Sequence, residues 1–189
     1  MTSEETEEAV SCRQVWNDMN VLLQNRKMIR NFHRCIDMAD DSFVVETDLF
    51  SVAALNVYSA YNLENSIDEK DRQTYFSAHR GGSQGDYREG MKAKITNVVD
   101  CLHRYPQSKR AVITVCNNPK PRHSSDEDAK CMREIHFYLD DGNILNATVW
   151  MRAQAAEIFP KNIHFVGSLM KRVAEQLTET RCRLGSRNL

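Results

Sequence analysis

CMREIHFYLDDG (residues 131–142) followed by ILNATVWM (residues 144–151) decides the fold. In the first segment Ile135, Phe137 and Leu139 alternate with Glu134, His136 and Tyr138. A period of two puts one set on each face of a strand. Asp141-Gly142 then predicts a hairpin turn into the second segment. Just upstream, RAVITVC (residues 110–116) is a continuous β-branched run, as expected of a buried strand. Residues 110–117, 131–140 and 144–152 are therefore expected in one sheet.

Helices flank this sheet in the sequence. MKAKITNVVDCLHRYP (residues 91–106) places Met91, Ile95, Val98, Val99 and Leu102 on one helical face and stops before Pro106. Phe165, Leu169, Val173 and Leu177 predict a last amphipathic helix over 163–178. Near the start, Ser11 is a candidate N-cap for a helix reaching about Gln24. SFVVE (residues 42–46) reads as a short strand, and DLFSVAALNVYSAYNLE (residues 48–64) as a helix capped by Asp48. Residues 65–90 are polar and contain Gly81, Gly82 and Gly85, which predicts a long surface excursion, and NNPKPRHSSDEDAK (residues 117–130) is a polar connection. The fold class is α+β: a mainly antiparallel sheet backed by helices. One domain is expected over 11–180, between a frayed acidic segment at 1–10 and a tail at 181–189.

The composition narrows the function classes. With 25 basic against 26 acidic side chains, no overall field draws the chain to nucleic acid or an anionic membrane. Apolar runs fall far short of the ~20 residues that cross a bilayer. The acidic start is unlike a secretory leader, so a cytoplasmic protein with neither a membrane nor a nucleic acid as partner is expected. Cysteines stand at 12, 35, 101, 116, 131 and 182 with no CxxC pair and no zinc spacing, so free thiols and no metal are expected.

Cys131 is the cysteine that stands out, at the junction of a polar loop and a strand. Lys109, Arg110 and Arg152 are cations at strand ends, able to hold a phosphate. Asn162, after Pro160-Lys161 at the start of a helix, has one acceptor and two donors with which to read a pyrimidine edge.

The order of these residues resembles the thymidylate synthase and deoxycytidylate hydroxymethylase family over roughly 87–178. ITNVVDCLHRYPQSKRAVITV (residues 95–115) is similar to that family's helix, Pro-Asp-Ser-Arg-Arg turn and strand. KCMREIHFYLDDG (residues 130–142) resembles its nucleophile strand. ILNATVWMRAQAAEIFPKNIHFVGSLMKRVAEQL (residues 144–177) resembles its Arg-Ser-x-Asp, Pro-x-Asn and helix elements. The resemblance implies a thymidylate synthase-like fold and a pyrimidine nucleoside monophosphate as ligand. It makes Cys131 the catalytic thiol that adds to carbon 6. It makes Arg152 a phosphate ligand that also favours the thiolate, and Asn162 the reader of the base. Lys109 and Arg110 match the paired arginines that reach the phosphate of the second subunit, which implies a homodimer. Methylenetetrahydrofolate is the implied one-carbon donor. A second reading keeps the fold but not the chemistry, as a nucleotide-binding or protein-interaction module.

Departures from the pattern support that second reading. Lys130 and Met132 flank the cysteine where the family has proline and often histidine, and Ala153 and Ala155 replace its serine and aspartate. The approach to Asn162 lacks a glycine and is one residue short. The sequence ends at Leu189, ahead of the family's Asp-x-His-x-Tyr segment and folate-closing tail. The catalytic glutamate has no clear counterpart; Glu46 and Glu64 are no more than guesses.

Overall fold

The computed structural model describes residues 8–39, 41–76, 86–115, 122, 124 and 130–185, with side chains described through residue 178. The hairpin is present as β4 (Met132–Leu139) and β5 (Leu145–Met151). With β3 (Val112–Thr114) they make an antiparallel sheet in the order β3-β4-β5. Register obeys the alternation: Ile135 pairs Val149, Phe137 pairs Ala147 and Leu139 pairs Leu145 on the inner face. Glu134, His136 and Tyr138 pair Trp150, Thr148 and Asn146 on the outer one.

The turn differs in detail from the expected one. Asp140 N donates to Ile144 O, and Asn143 N donates to Asp140 O, so the loop has three residues rather than two. The left-handed position falls on Asn143 (φ 59°), not on Gly142. Asparagine tolerates that conformation. The Asp140 carboxylate accepts from Gly142 N and Ile144 N, both at 2.9 Å, and so replaces the usual glycine solution.

Two helices cover the inner face. Helix α4 (Met91–Arg104) contributes Met91, Ile95, Val98 and Leu102, and α5 (Phe159–Gly185) contributes Phe165, Leu169, Val173 and Leu177. Each such side chain gains roughly 1.5–3 kcal/mol from leaving water. Helix α5 runs well beyond the expected 163–178. Helix α1 (Cys12–Leu23) is capped as predicted, Ser11 Oγ accepting from Gln14 N at 3.1 Å. Val10 lies inside the segment expected to fray, yet Val10 N donates to Cys35 O at 3.0 Å, and β1 (Val10–Ser11) pairs in parallel with β2 (Ile36–Asp37).

Residues 42–46 are not a strand. A turn at 41–43 and irregular chain there put Phe43 and Val45 into a small core with Cys12. Helix α2 (Val52–Asn62) begins later than expected, with Ser51 rather than Asp48 as its cap. The polar excursion holds α3 (Glu69–Tyr75), capped by Asp68. Residues 77–85, and most of the connection at 117–130, lie outside the described residues.

Buried polar groups join α5 to α2. Ser59 Oγ and His164 Nδ1 share a hydrogen bond at 2.7 Å, and His164 packs edge-on against Phe43 at 5.4 Å. Gly167, one turn on, lies so close to Phe43 that a Cβ would overlap the ring. Gly167→Ala is therefore expected to destabilise the chain by about 1–3 kcal/mol in urea unfolding. Phe43→Leu in the same chain should recover part of that loss.

Burial lowers the His164 pKa from 6.5 to about 4. The folded chain thus favours the neutral imidazole. Its contribution is complete above pH 6.5 and is lost as pH falls towards 4, on the order of 3 kcal/mol in all. His164→Asn should flatten the wild-type decline of melting temperature between pH 6.5 and 4.

Candidate functional site

The open end of the hairpin places Cys131 beside Arg152. Arg152 N donates to Cys131 O at 2.7 Å, so the residue before β4 and the residue after β5 are tied through their backbones. A register shift between Met132 and Glu134 adds a residue to β4 at this point. Such a bulge re-aims the side chains beside it. Cys131 is partly exposed, and Arg152 Nη2 lies 3.9 Å from its sulfur. Arg152 is an exposed residue.

The first turn of α5 supplies the next group. Pro160 suits this position because its missing N–H would have no helical partner there. Asn162 follows, 3% exposed, with Nδ2 donating to Gln154 Oε1 at 2.9 Å. Its Oδ1 accepts from Tyr58 Oη at 3.5 Å. These bonds use one of the two amide hydrogens and one of the two lone pairs on the oxygen. Burial raises the Tyr58 pKa well above 10, and the charges of Tyr87, Asp86 and Cys131 add to that shift.

Tyr87 and Lys161 complete the cluster, and neither was singled out from the sequence. Tyr87 is buried, stacks on Phe165 at 5.8 Å and interacts with the Met132 backbone. Its pKa is raised by burial and then by Cys131, and lowered in part by Arg152. Asn62 fixes it: Asn62 Oδ1 accepts from Tyr87 N at 2.7 Å, while Asn62 Nδ2 donates to Tyr58 O. Lys161 is 2% exposed, with Nζ 4.7 Å from the centre of the Tyr58 ring. Burial lowers its pKa to about 8, against the charge of Cys131. The stripe Phe165, Leu169, Val173, Leu177 signals Lys161, because one more step of four towards the N-terminus lands on it. Nothing comparable marks Tyr87 in its polar surroundings.

Lys109 and Arg110 lie elsewhere. Val112 pairs His136, so they stand level with the far end of β4, about 20 Å along the strand from Cys131. Both are exposed, and Lys109 lines a surface pocket with His136, Tyr138 and Asp140. The two glutamates are engaged in capping helices. Glu64 Oε2 accepts from Lys92 N at 2.8 Å, and Glu46 Oε1 accepts from Val52 N at 3.3 Å.

Among the described residues no group of three or more His, Cys, Asp or Glu is placed to hold a metal ion, and no helix is long and apolar enough to cross a membrane. Neither a protein-family model nor a curated protein sequence matches the chain.

Cys131 thus combines partial exposure with a guanidinium nitrogen 3.9 Å from its sulfur. Cys12 is the internal contrast: it is fully buried against Met38, and burial pushes its pKa up to about 12. Iodoacetamide at neutral pH is expected to modify Cys131 fastest, ahead even of exposed Cys35, and to leave Cys12 untouched in the folded protein. Arg152→Ala should slow Cys131 by about three- to tenfold and Arg152→Lys by less, read by peptide mass spectrometry.

Proposed function

We propose that the chain is a thymidylate synthase-like transferase that binds a pyrimidine nucleoside monophosphate and acts at carbon 5, as a methylase or hydroxymethylase. The 3.9 Å contact between Arg152 and Cys131 carries the reading, because it pairs a reachable thiol with the cation that would stabilise it. In this reading the Cys131 thiolate adds to carbon 6 of the ring and makes carbon 5 nucleophilic. Arg152 binds the phosphate, and Asn162 reads the base with its remaining donor and acceptor. The one-carbon unit comes from methylenetetrahydrofolate, as the resemblance implies.

A homodimer is part of the proposal. Lys109 and Arg110 are too far from their own Cys131 to share its ligand, so they serve the partner's site. The outer face of the sheet is the surface offered for that contact, with Trp150 59% and Tyr138 40% exposed. Among the described residues the helices pack on the inner face, and one-sided antiparallel sheets commonly leave the other face open.

Glu46 and Glu64 favour a second reading, a non-catalytic module that binds a nucleotide or a protein. Both carboxylates cap helices, so neither is free to serve as the catalytic glutamate in this arrangement.

Thermal-shift titration with deoxyuridylate, deoxycytidylate and cytidylate tests the ligand, because a compound that binds only the folded state raises its melting temperature. At least one of the three is expected to raise it and to protect Cys131 from iodoacetamide, with the protein a dimer by light scattering at micromolar concentration. No shift and no protection with any of them removes the nucleotide reading. Binding without turnover in the presence of methylenetetrahydrofolate leaves the module.

A further inference from the structure

A formal charge of −1 says little about any one surface, because at physiological salt a charge is felt over only about 8 Å. Between Asp18 and Asp37 the chain has no acidic residue, yet it carries Arg26, Lys27, Arg30 and Arg34. These cations lie on the connection from α1 to β2, and β2 belongs to a two-stranded sheet separate from the one that carries the hairpin. Arg34 is engaged: it lies 3.7 Å from Asp18, and its guanidinium sits over the Phe32 ring at 4.6 Å. Arg26, Lys27 and Arg30 are exposed, and among the described residues no carboxylate pairs with them. The two aspartates that bound the segment are themselves occupied, Asp18 by Arg34 and Asp37 by the Ala39 N–H.

Apolar side chains stand among these cations. Met28 is 62% exposed, and Phe32 and, near the end of α1, Val21 are exposed as well. The chain that presents them is irregular, with Asn31 in the left-handed region (φ 56°) between Arg30 and Phe32. Unpaired cations interleaved with exposed apolar groups suit a surface that is anionic at its face and oily just beneath it.

We propose that residues 24–35 form a docking surface for an anionic phospholipid membrane. Arg26, Lys27 and Arg30 meet the charged headgroups, and Met28 and Phe32 enter the headgroup layer between them. Each such cation near an anionic surface is worth roughly fivefold in binding. Single-stranded nucleic acid is the weaker fit, because it needs a row of rings on which bases stack. Phe32 is the one aromatic ring between Arg26 and Arg34, and the Arg34 guanidinium already lies over it. The expectation of no membrane partner followed from the balanced total charge, which this local excess escapes. Cys131 plays no part in the docking, so the surface stands or falls apart from the nucleotide reading.

The test is co-sedimentation of the full chain with phosphatidylcholine vesicles, with and without about a third of phosphatidylserine, in low and high salt. Wild type is expected to sediment with the mixed vesicles, to ignore pure phosphatidylcholine and to be released by high salt. Arg26→Gln/Lys27→Gln/Arg30→Gln should weaken binding roughly a hundredfold, and Met28→Ser/Phe32→Ser several-fold at unchanged charge. Lys70→Gln/Arg72→Gln/Arg104→Gln removes the same formal charge elsewhere and should stay within about twofold of wild type. Melting temperatures check that each variant folds; should the triple variant not fold, Arg26→Gln and Lys27→Gln singly are each expected to cost about fivefold.

No sedimentation of wild type with mixed vesicles overturns the proposal. So does equal binding to pure phosphatidylcholine, equal loss in the two charge-matched triple variants, or wild-type binding by the serine pair. Fluorescence anisotropy with labelled oligouridylate covers the other polyanion: binding there without binding to vesicles assigns the surface to nucleic acid and overturns the membrane.

Discussion

The antiparallel register of β4 and β5 is the constraint from which the site follows. With Ile135 opposite Val149 and Phe137 opposite Ala147, the inner face is apolar and its exposure to water is costly. A slip of one residue would turn Phe137 and Ile135 outward and bring Glu134 and His136 under α4 and α5. Burial therefore fixes the register, and the register fixes which residues meet at the open end of the hairpin. Cys131 and Arg152 meet there, joined by a backbone hydrogen bond of 2.7 Å before any side chain is considered. The hydrophobic core specifies a polar contact that lies outside it.

The segments whose periods are strong were legible in the sequence. The alternation in β4 gave the sheet, and the helical stripes of α4 and α5 gave its cover, because one buried face imposes a repeat on the residues that form it. SFVVE failed for a related reason. Phe43 and Val45 are apolar because they plug the space between α1 and α5, where Gly167 makes room for the Phe43 ring, and not because they belong to a ladder. An apolar run shows that a segment is buried but not what buries it. The start of α2 was misplaced because Asp48 and Ser51 are both competent caps, and tertiary packing chose the later one.

The site was legible where its residues belong to periodic elements. Cys131, Arg152 and Asn162 follow from strand ends and a helix start; the structure sets Arg152 against Cys131, and Asn162 against Tyr58 and Gln154. Tyr87 comes from a polar stretch and is held by Asn62, a contact between residues 25 apart in sequence that no local pattern announces. The capping role of Glu64 is equally nonlocal, whereas Glu46 caps a helix that starts six residues further on. Each carboxylate satisfies backbone N–H groups that a helix start leaves without partners. The sequence showed two glutamates of the right kind; the structure shows each already engaged.

Lys161 and His164, three residues apart in the first turns of α5, show how one helix carries two buried titratable groups in opposite states. His164 is surrounded by Ser59, Ser168 and the Phe43 ring, a setting that can bond a neutral imidazole but offers little to an imidazolium. Burial accordingly pushes it towards neutrality, and folding gains from that only while the pH stays above its titration. Lys161 has the face of Tyr58 and the charge of Cys131, which favour the ammonium and draw its pKa back up against burial. The same desolvation acts on both. What differs is the balance: Asp41 also draws the His164 pKa up, yet burial still carries it to about 4, whereas Lys161 is held at about 8. At neutral pH the lysine therefore keeps its proton while the histidine has lost its own, although burial opposes the charge on both.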